Sequence, residues 1–126
     1  MTRYLLAHDL GTSGNKATLF SAEGALIQSV VYPYDTHYFN GTWVEQDARD
    51  WWKAVCESTR ELLKKTEIQA DAIKAVSFSG QMMGCLCVDK NGVPLRPAII
   101  WADQRATEQS AQIDEKINQY DYYRIV

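Results

Sequence analysis

Within the eight residues from Asp9 to Lys16, DLGTSGNK, the chain sets out one carboxylate, two glycines, two hydroxyls and one ammonium group. Such a set suits phosphate binding. Gly11 and Gly14 let the backbone approach an anion closely and turn its N–H groups toward it. Thr12 and Ser13 add hydroxyl donors, and Lys16 offsets phosphate charge. Asp9 repels a phosphate, but it suits a Mg²⁺, held directly or through water, that travels with a nucleotide. The stretch is not a Walker A loop, which places Gly, four residues, Gly, Lys and Ser or Thr ahead of a helix. Polar hairpin tips use the same residue types. On these residues alone, the ordinary tip stands slightly ahead of the phosphate turn.

The flanking segments decide how that turn is held. Apolar runs at Tyr4 to Ala7 and Ala17 to Phe20 predict strand, tight turn and strand. A turn at Ala22, Glu23 and Gly24 leads to a third strand, Leu26 to Tyr34, stopped by Pro33. Residues 35 to 46 break the pattern and read as a polar and aromatic loop. It turns at Asn40-Gly41 and carries a solvated His37. Asp47 to Thr66 predicts a helix, with Asp47 as N-cap, Asp50 three residues on, and Lys64 and Lys65 at the C-terminal end of the dipole. Its apolar face reads as Trp51, Trp52, Val55, Cys56, Leu62 and Leu63, with both tryptophans in the core. Residues 72 to 79 predict a strand reached by crossover, hence parallel to one of the first three. Gly80 ends it, and Gln81 to Gly84 form a connection. Leu86 to Asp89 and Pro94 to Trp101 predict a hairpin over Asn91-Gly92. Asp103 then caps a final helix with Ala106, Ser110, Ile113, Ile117 and Tyr120 on its inner face. The order predicts an α/β layer structure with a mixed sheet.

Composition bounds the function classes. The 126 residues suffice for one modest domain. With 46% apolar and 23% charged residues the chain is globular. A net charge of -3 without a basic block argues against a nucleic-acid platform. No leader pattern precedes Asp9, and no run is long enough to span a bilayer. Cys56, Cys85 and Cys87, an odd number, predict reduced thiols and a cytoplasmic protein. Cys85 and Cys87 fall on one face of a strand, where packing is the expected role. The closing residues, DYYRIV, carry no capping or polar tail and read as a cut.

Four stretches occur in register. They are DLGTSGNK at Asp9 to Lys16, WVEQDARDWW at Trp43 to Trp52, SFSGQMMG at Ser77 to Gly84, and VPLRPAIIWADQR at Val93 to Arg105. Together they resemble the N-terminal part of the FGGY carbohydrate kinases, most closely the xylulokinase-like branch, over essentially the whole chain. The resemblance implies a ribonuclease-H-like domain of the actin, hexokinase and Hsp70 superfamily, with ATP and Mg²⁺ bound in a cleft between two such domains. It implies a phosphate side formed by Asp9, Gly11, Thr12, Ser13 and Lys16, with Asp9 toward the Mg²⁺. It implies a sugar side formed by Gln81, Met82 and Met83, then Trp101 and Asp103 with Arg105 beside them. There are two departures. Met83 stands where xylulokinases carry a histidine against the sugar, and a thioether cannot make that hydrogen bond. His8 stands where the family carries an aliphatic residue, and in a strand it points away from Asp9. The resemblance further implies that a C-terminal domain, absent here, supplies the adenine pocket and the general-base Asp, so this chain holds no catalytic base.

The expected function is therefore the N-terminal part of an ATP-dependent kinase acting on a small-molecule ketose or polyol. Neither nucleic acid nor membrane is expected as a partner. Apolar surface left by the missing domain makes homo-oligomers an open expectation. The alternative is a non-catalytic sugar-binding or regulatory module of the same superfamily. An actin-like or chaperone ATPase shares the Asp-x-Gly-Thr turn but lacks the other stretches.

Overall fold

The computed structural model describes residues 3–125. Its centre is a mixed four-stranded sheet. Strands β1 (Tyr4–Leu10), β2 (Gly14–Ser21) and β3 (Leu26–Pro33) form the antiparallel meander, and β6 (Ile73–Ser79) lies parallel to β1 at the other edge. The spatial order is β3-β2-β1-β6. The crossover between β1 and β6 includes α1 (Ala48–Thr66), as a parallel pair requires.

Alternation along the strands separates two faces. On one face Leu6, Ala17, Leu19 and Val30 meet Leu62 of α1 and form the core. Asp47 caps α1, its carboxylate accepting the Arg49 N–H at 2.9 Å. Without that acceptor a donor of the first turn would lack a partner. The same face carries a polar seam. His8, Asn15 and Ser58 are all buried. The Asn15 amide donates to His8 Nδ1 at 2.9 Å and to Ser58 Oγ at 2.8 Å. Nδ1 therefore accepts, and Nε2 carries the proton toward Thr59 Oγ1 at 3.4 Å. Burial lowers the His8 pKa from its ordinary value, partly offset by the Asn15 contact. His8 points away from Asp9, as expected for neighbours in a strand, and stacks on Phe78.

A glycine is required at one position of the meander. A Cβ on Gly14 would lie 2.6 Å from the Tyr32 carbonyl oxygen, against the backbone of β3. Any side chain there would push the first hairpin off the third strand.

A second, smaller sheet runs β4 (His37–Phe39), β5 (Trp43–Gln46) and β7 (Ala98–Ile99). This corrects the reading of residues 35 to 46 as a loop. The Asn40-Gly41 turn is present, with both residues at positive φ, but it joins two short strands. Their partner comes from more than fifty residues away, a pairing that no local pattern encodes. His37 is exposed.

Three other expectations are corrected. The hairpin over Asn91-Gly92 shrinks to single bridges, Val88 to Pro94 and Cys85 to Ile99. Its turn is held instead by the Asp89 carboxylate, which accepts the Asn91 and Val93 N–H groups. Cys85 and Cys87 are exposed, so they do not pack a core. The final helix is two pieces, α2 (Thr107–Asp114) and α3 (Gln119–Ile125), with Ile113, Ile117 and Tyr120 exposed. Asp103 does not cap it; the residue before α2 is Ala106, without a side-chain cap.

On α1 the buried positions are Ala54, Val55, Ser58 and Leu62, while Trp52 is 66% exposed. The inward stripe is narrower than the apolar residues suggest, because the helix packs mainly on β2 and β3. Replacing Leu62 by Ala is expected to cost about 2–5 kcal/mol. Trp52→Ala is expected to fall within about 0.5 kcal/mol of the parent. Urea unfolding of the two variants checks the pair; equal losses would return Trp52 to the core.

Candidate functional site

The turn between β1 and β2 is closed by the Gly11 N–H donating to the Gly14 carbonyl at 3.0 Å. Its three successive carbonyls are then tied inward. Gly11 O accepts from the Tyr34 hydroxyl and from Gln81 Nε2, the latter at 3.1 Å. Thr12 O accepts from Gln46 Nε2 at 2.6 Å and from Thr36 Oγ1 at 3.2 Å. Ser13 O accepts from the Tyr34 N–H at 3.3 Å. Every peptide here is trans. In a trans peptide the C=O and the following N–H point opposite ways. Holding the carbonyls of Gly11 and Thr12 inward therefore turns the N–H groups of Thr12 and Ser13 outward. Among the described residues neither of these N–H groups donates to another backbone group. Outward N–H groups on a glycine-rich turn are of the kind that line anion-binding concavities. Burial pushes the Tyr34 phenol up, so it remains a donor to Gly11 O.

Asp9 and Lys16 are directly opposed in the β1–β2 register, so they share the face away from α1. Both are exposed. They line a concavity of about 480 Å³ whose other walls are Thr18, Ser29, Ser77 and Ser79 and the apolar Phe20, Leu26 and Phe78. The five residues expected at the phosphate side therefore occupy one turn and the strand ends beneath it. For Mg²⁺ the fit is that of a single carboxylate. Among the described residues no three His, Cys, Asp or Glu side chains come together. One carboxylate suits an ion that keeps several waters and takes its remaining ligands from nucleotide phosphates.

The residues expected at the sugar side divide into two groups. Met82, Met83 and Trp101 are surface residues, at 76%, 85% and 54% exposure. Met83 has φ of 59°, in the left-handed region that a non-glycine residue rarely adopts. Gln81, Asp103 and Arg105 are turned into the protein. Both amide hydrogens of Gln81 are engaged, on Gly11 O and on Gln46 Oε1 at 2.9 Å. The Asp103 side chain is 3% exposed. One of its oxygens accepts the Val44 N–H at 2.6 Å, and both accept from Arg105 at 2.7–2.9 Å. Arg105 also pairs with Glu45 at 2.8 Å and lies 3.9 Å from the centre of the Trp43 ring. Arg96 contacts the same Glu45 carboxylate. The Arg105 hydrogen bonds hold the Asp103 carboxyl well below the usual carboxylate range, and the same pair raises the guanidinium.

The two sides meet directly. The Trp101 indole N–H donates to Thr12 Oγ1 at 3.0 Å, across 89 positions of sequence. Behind that contact lies Gln46, fully buried, a residue that the sequence reading passed over. Its amide donates to Thr12 O and to Thr36 Oγ1, and its carbonyl accepts from Trp51 Nε1 and from Gln81 Nε2. Tyr34 and Thr36 were missed in the same way. Their partners lie 23 and 24 residues off, and nothing local marks them.

Comparison with known proteins decides the family. Residues 4–126 match the model of the FGGY family of carbohydrate kinases, N-terminal domain. The chain belongs to this family. It is 40% identical over 111 residues to a xylulose kinase of Staphylococcus epidermidis, covering 88% of this chain and 22% of that protein. It is 36% identical to a glycerol kinase of Rippkaea orientalis over 89% of this chain and 23% of that protein. Among solved structures, the gluconate kinase of Lactobacillus acidophilus superposes with a TM-score of 0.87 at 25% identity, over 98% of this chain and 25% of the other. The chain thus spans less than a quarter of the length of the curated relatives it matches. The FGGY fold agrees with the expected ribonuclease-H-like α/β architecture.

The Asp103–Arg105 pair carries a pH signature. A carboxyl held lower in the folded state than in the unfolded one stabilises at high pH, and that stability is lost as the pH falls. Asp103→Asn should therefore be less stable than the parent at pH 6, with the gap closing as the pH drops below about 4. Thermal unfolding of both proteins across pH checks this; a gap independent of pH would show that the carboxylate charge contributes nothing.

Proposed function

We propose that this chain is the N-terminal part of an ATP-dependent kinase that transfers the γ-phosphoryl group of ATP to a hydroxyl of a ketose or polyol, xylulose-like in class. The observation that carries the reading is the Trp101–Thr12 hydrogen bond, which sets the sugar-side surface against the phosphate turn. Phosphoryl transfer depends on positioning and on charge neutralisation, with the acceptor hydroxyl brought in line with the γ-phosphate. The turn supplies N–H groups from Thr12 and Ser13 and hydroxyls from the same residues. Lys16 adds positive charge. Asp9 would hold Mg²⁺ or one of its waters, and the ion would neutralise charge on the phosphates.

On the sugar side, Trp101 offers an aromatic face to the apolar side of a sugar ring or chain. The exposed Met82 and Met83 add thioethers to the sugar side, which favours a substrate edge with few hydroxyls at that point. Gln81, Asp103 and Arg105 serve the site from behind, by fixing the segments that carry these surface residues. The general base that takes the hydroxyl proton, and the adenine pocket, lie in the remainder of the family's length. The exposed Val76 and Phe78 on β6 support burial against a further domain or a second copy. Three free cysteines support a reducing, cytoplasmic setting. Among the described residues no helix is long and apolar enough to cross a membrane.

Two outcomes are expected. The 126-residue chain alone forms no sugar phosphate from ATP above a mock preparation, and any product made by the purified chain would overturn that. The full-length polypeptide containing this segment phosphorylates at least one member of a panel of xylulose, glycerol and gluconate, and Asp9→Asn lowers that activity by about 10–100-fold. A full-length protein that binds a panel member but turns none over, with no effect of Mg-ATP on the binding, would favour the non-catalytic module.

A further inference from the structure

Gln46 is fully buried, and its side chain meets four separate segments of the chain. Its side chain uses its full hydrogen-bonding capacity: two donors on Thr12 O and Thr36 Oγ1, and two acceptor positions filled by Trp51 and Gln81. Gln81 completes the link by donating to Gly11 O. The two glutamines thus hold consecutive carbonyls of the phosphate turn, those of Gly11 and Thr12. Fixing a carbonyl fixes the N–H on the other side of the same planar peptide.

We propose that Gln46 is a positioning residue for the nucleotide phosphates, with Gln81 holding the adjacent Gly11 carbonyl. Gln46 touches no reacting atom. It sets the direction of the Thr12 and Ser13 N–H groups. Without it the Thr12 carbonyl keeps only the longer bond from Thr36, whose own hydroxyl then loses its Gln46 donor. The peptide between Thr12 and Ser13 is then free to rotate, and the anion site loses its shape. Phosphoryl transfer is sensitive to displacements of this size, since about 1 Å can cost on the order of 100-fold.

The inference rests on the kinase reading, and the test separates the two. In the full-length polypeptide containing this segment, kcat and the KM values for Mg-ATP and for the acceptor sugar are measured for wild type, Gln46→Met and Gln81→Met. Methionine keeps the length of the side chain and removes its hydrogen bonds. Gln46→Met is expected to raise the Mg-ATP KM by about tenfold or more, with the sugar KM within about threefold of wild type. Gln81 is partly exposed, so Gln81→Met retains the fold even where Gln46→Met does not, and it is expected to raise the Mg-ATP KM by about threefold or more. Thermal midpoints verify folding. A folded variant with an unchanged Mg-ATP KM, or with equal rises in both KM values, overturns the positioning role. A wild-type protein that phosphorylates no sugar or polyol overturns the kinase reading, and the inference falls with it.

Discussion

A turn that presents its N–H groups outward must do something with its carbonyls, and the rest of this structure is arranged around that constraint. A buried carbonyl without a partner costs more than an average hydrogen bond returns. Side chains from β5, from the segment after β3 and from the connection after β6 converge on Gly11 and Thr12 for this reason. The convergence has a further consequence. Because the donors come from distant segments, the turn acquires its shape only when both sheets and the helix N-terminus are in place. The turn and the tertiary fold form together.

The same economy governs the charged cluster beside it. Glu45, Asp103, Arg105 and Arg96 bring two carboxylates and two guanidiniums together around the start of β5. A buried carboxylate is tolerable when its oxygens are all engaged. Asp103 meets that condition through a forked pair with Arg105 and the Val44 N–H, and Arg105 rests on Trp43. The cluster ties β5 to the segment that carries Trp101. An aspartate of the WADQR stretch, which the motif alone offers as a sugar ligand, thereby acts as a fastening, and the aromatic residue two positions earlier is left to face outward.

Under the main sheet, the His8–Asn15–Ser58 seam performs a related task. It sits one residue from Asp9 in β1 and at the start of β2, so it fixes both stems of the turn against α1. An apolar pair would bury as well, but it would not specify the relative placement of strand and helix so narrowly. Among the described residues two buried side-chain oxygens have no hydrogen-bond partner, Asn15 Oδ1 in this seam and Gln81 Oε1 beside the turn.

The sequence by itself determined whatever depends on neighbours within a few positions. The strand alternation of β1 to β3, the Asp47 cap, the crossover that makes β6 parallel and the glycine-rich turn with its donors are all local patterns, and each is present. So is the grouping of Asp9, Thr12, Ser13 and Lys16, because one hairpin delivers them together. What only the tertiary structure decided depends on pairings across tens of residues. The strand identity of His37–Phe39 and Trp43–Gln46 rests on each other and on β7. The exposure of Trp52 rests on which strands α1 crosses. The inward turn of Gln81, Asp103 and Arg105, and the central place of Gln46, rest on carbonyls and charges whose partners lie far along the chain. A glutamine at the end of a short strand carries no sign of its role in its own neighbourhood, since that role is set by the unsatisfied backbone groups the fold brings against it.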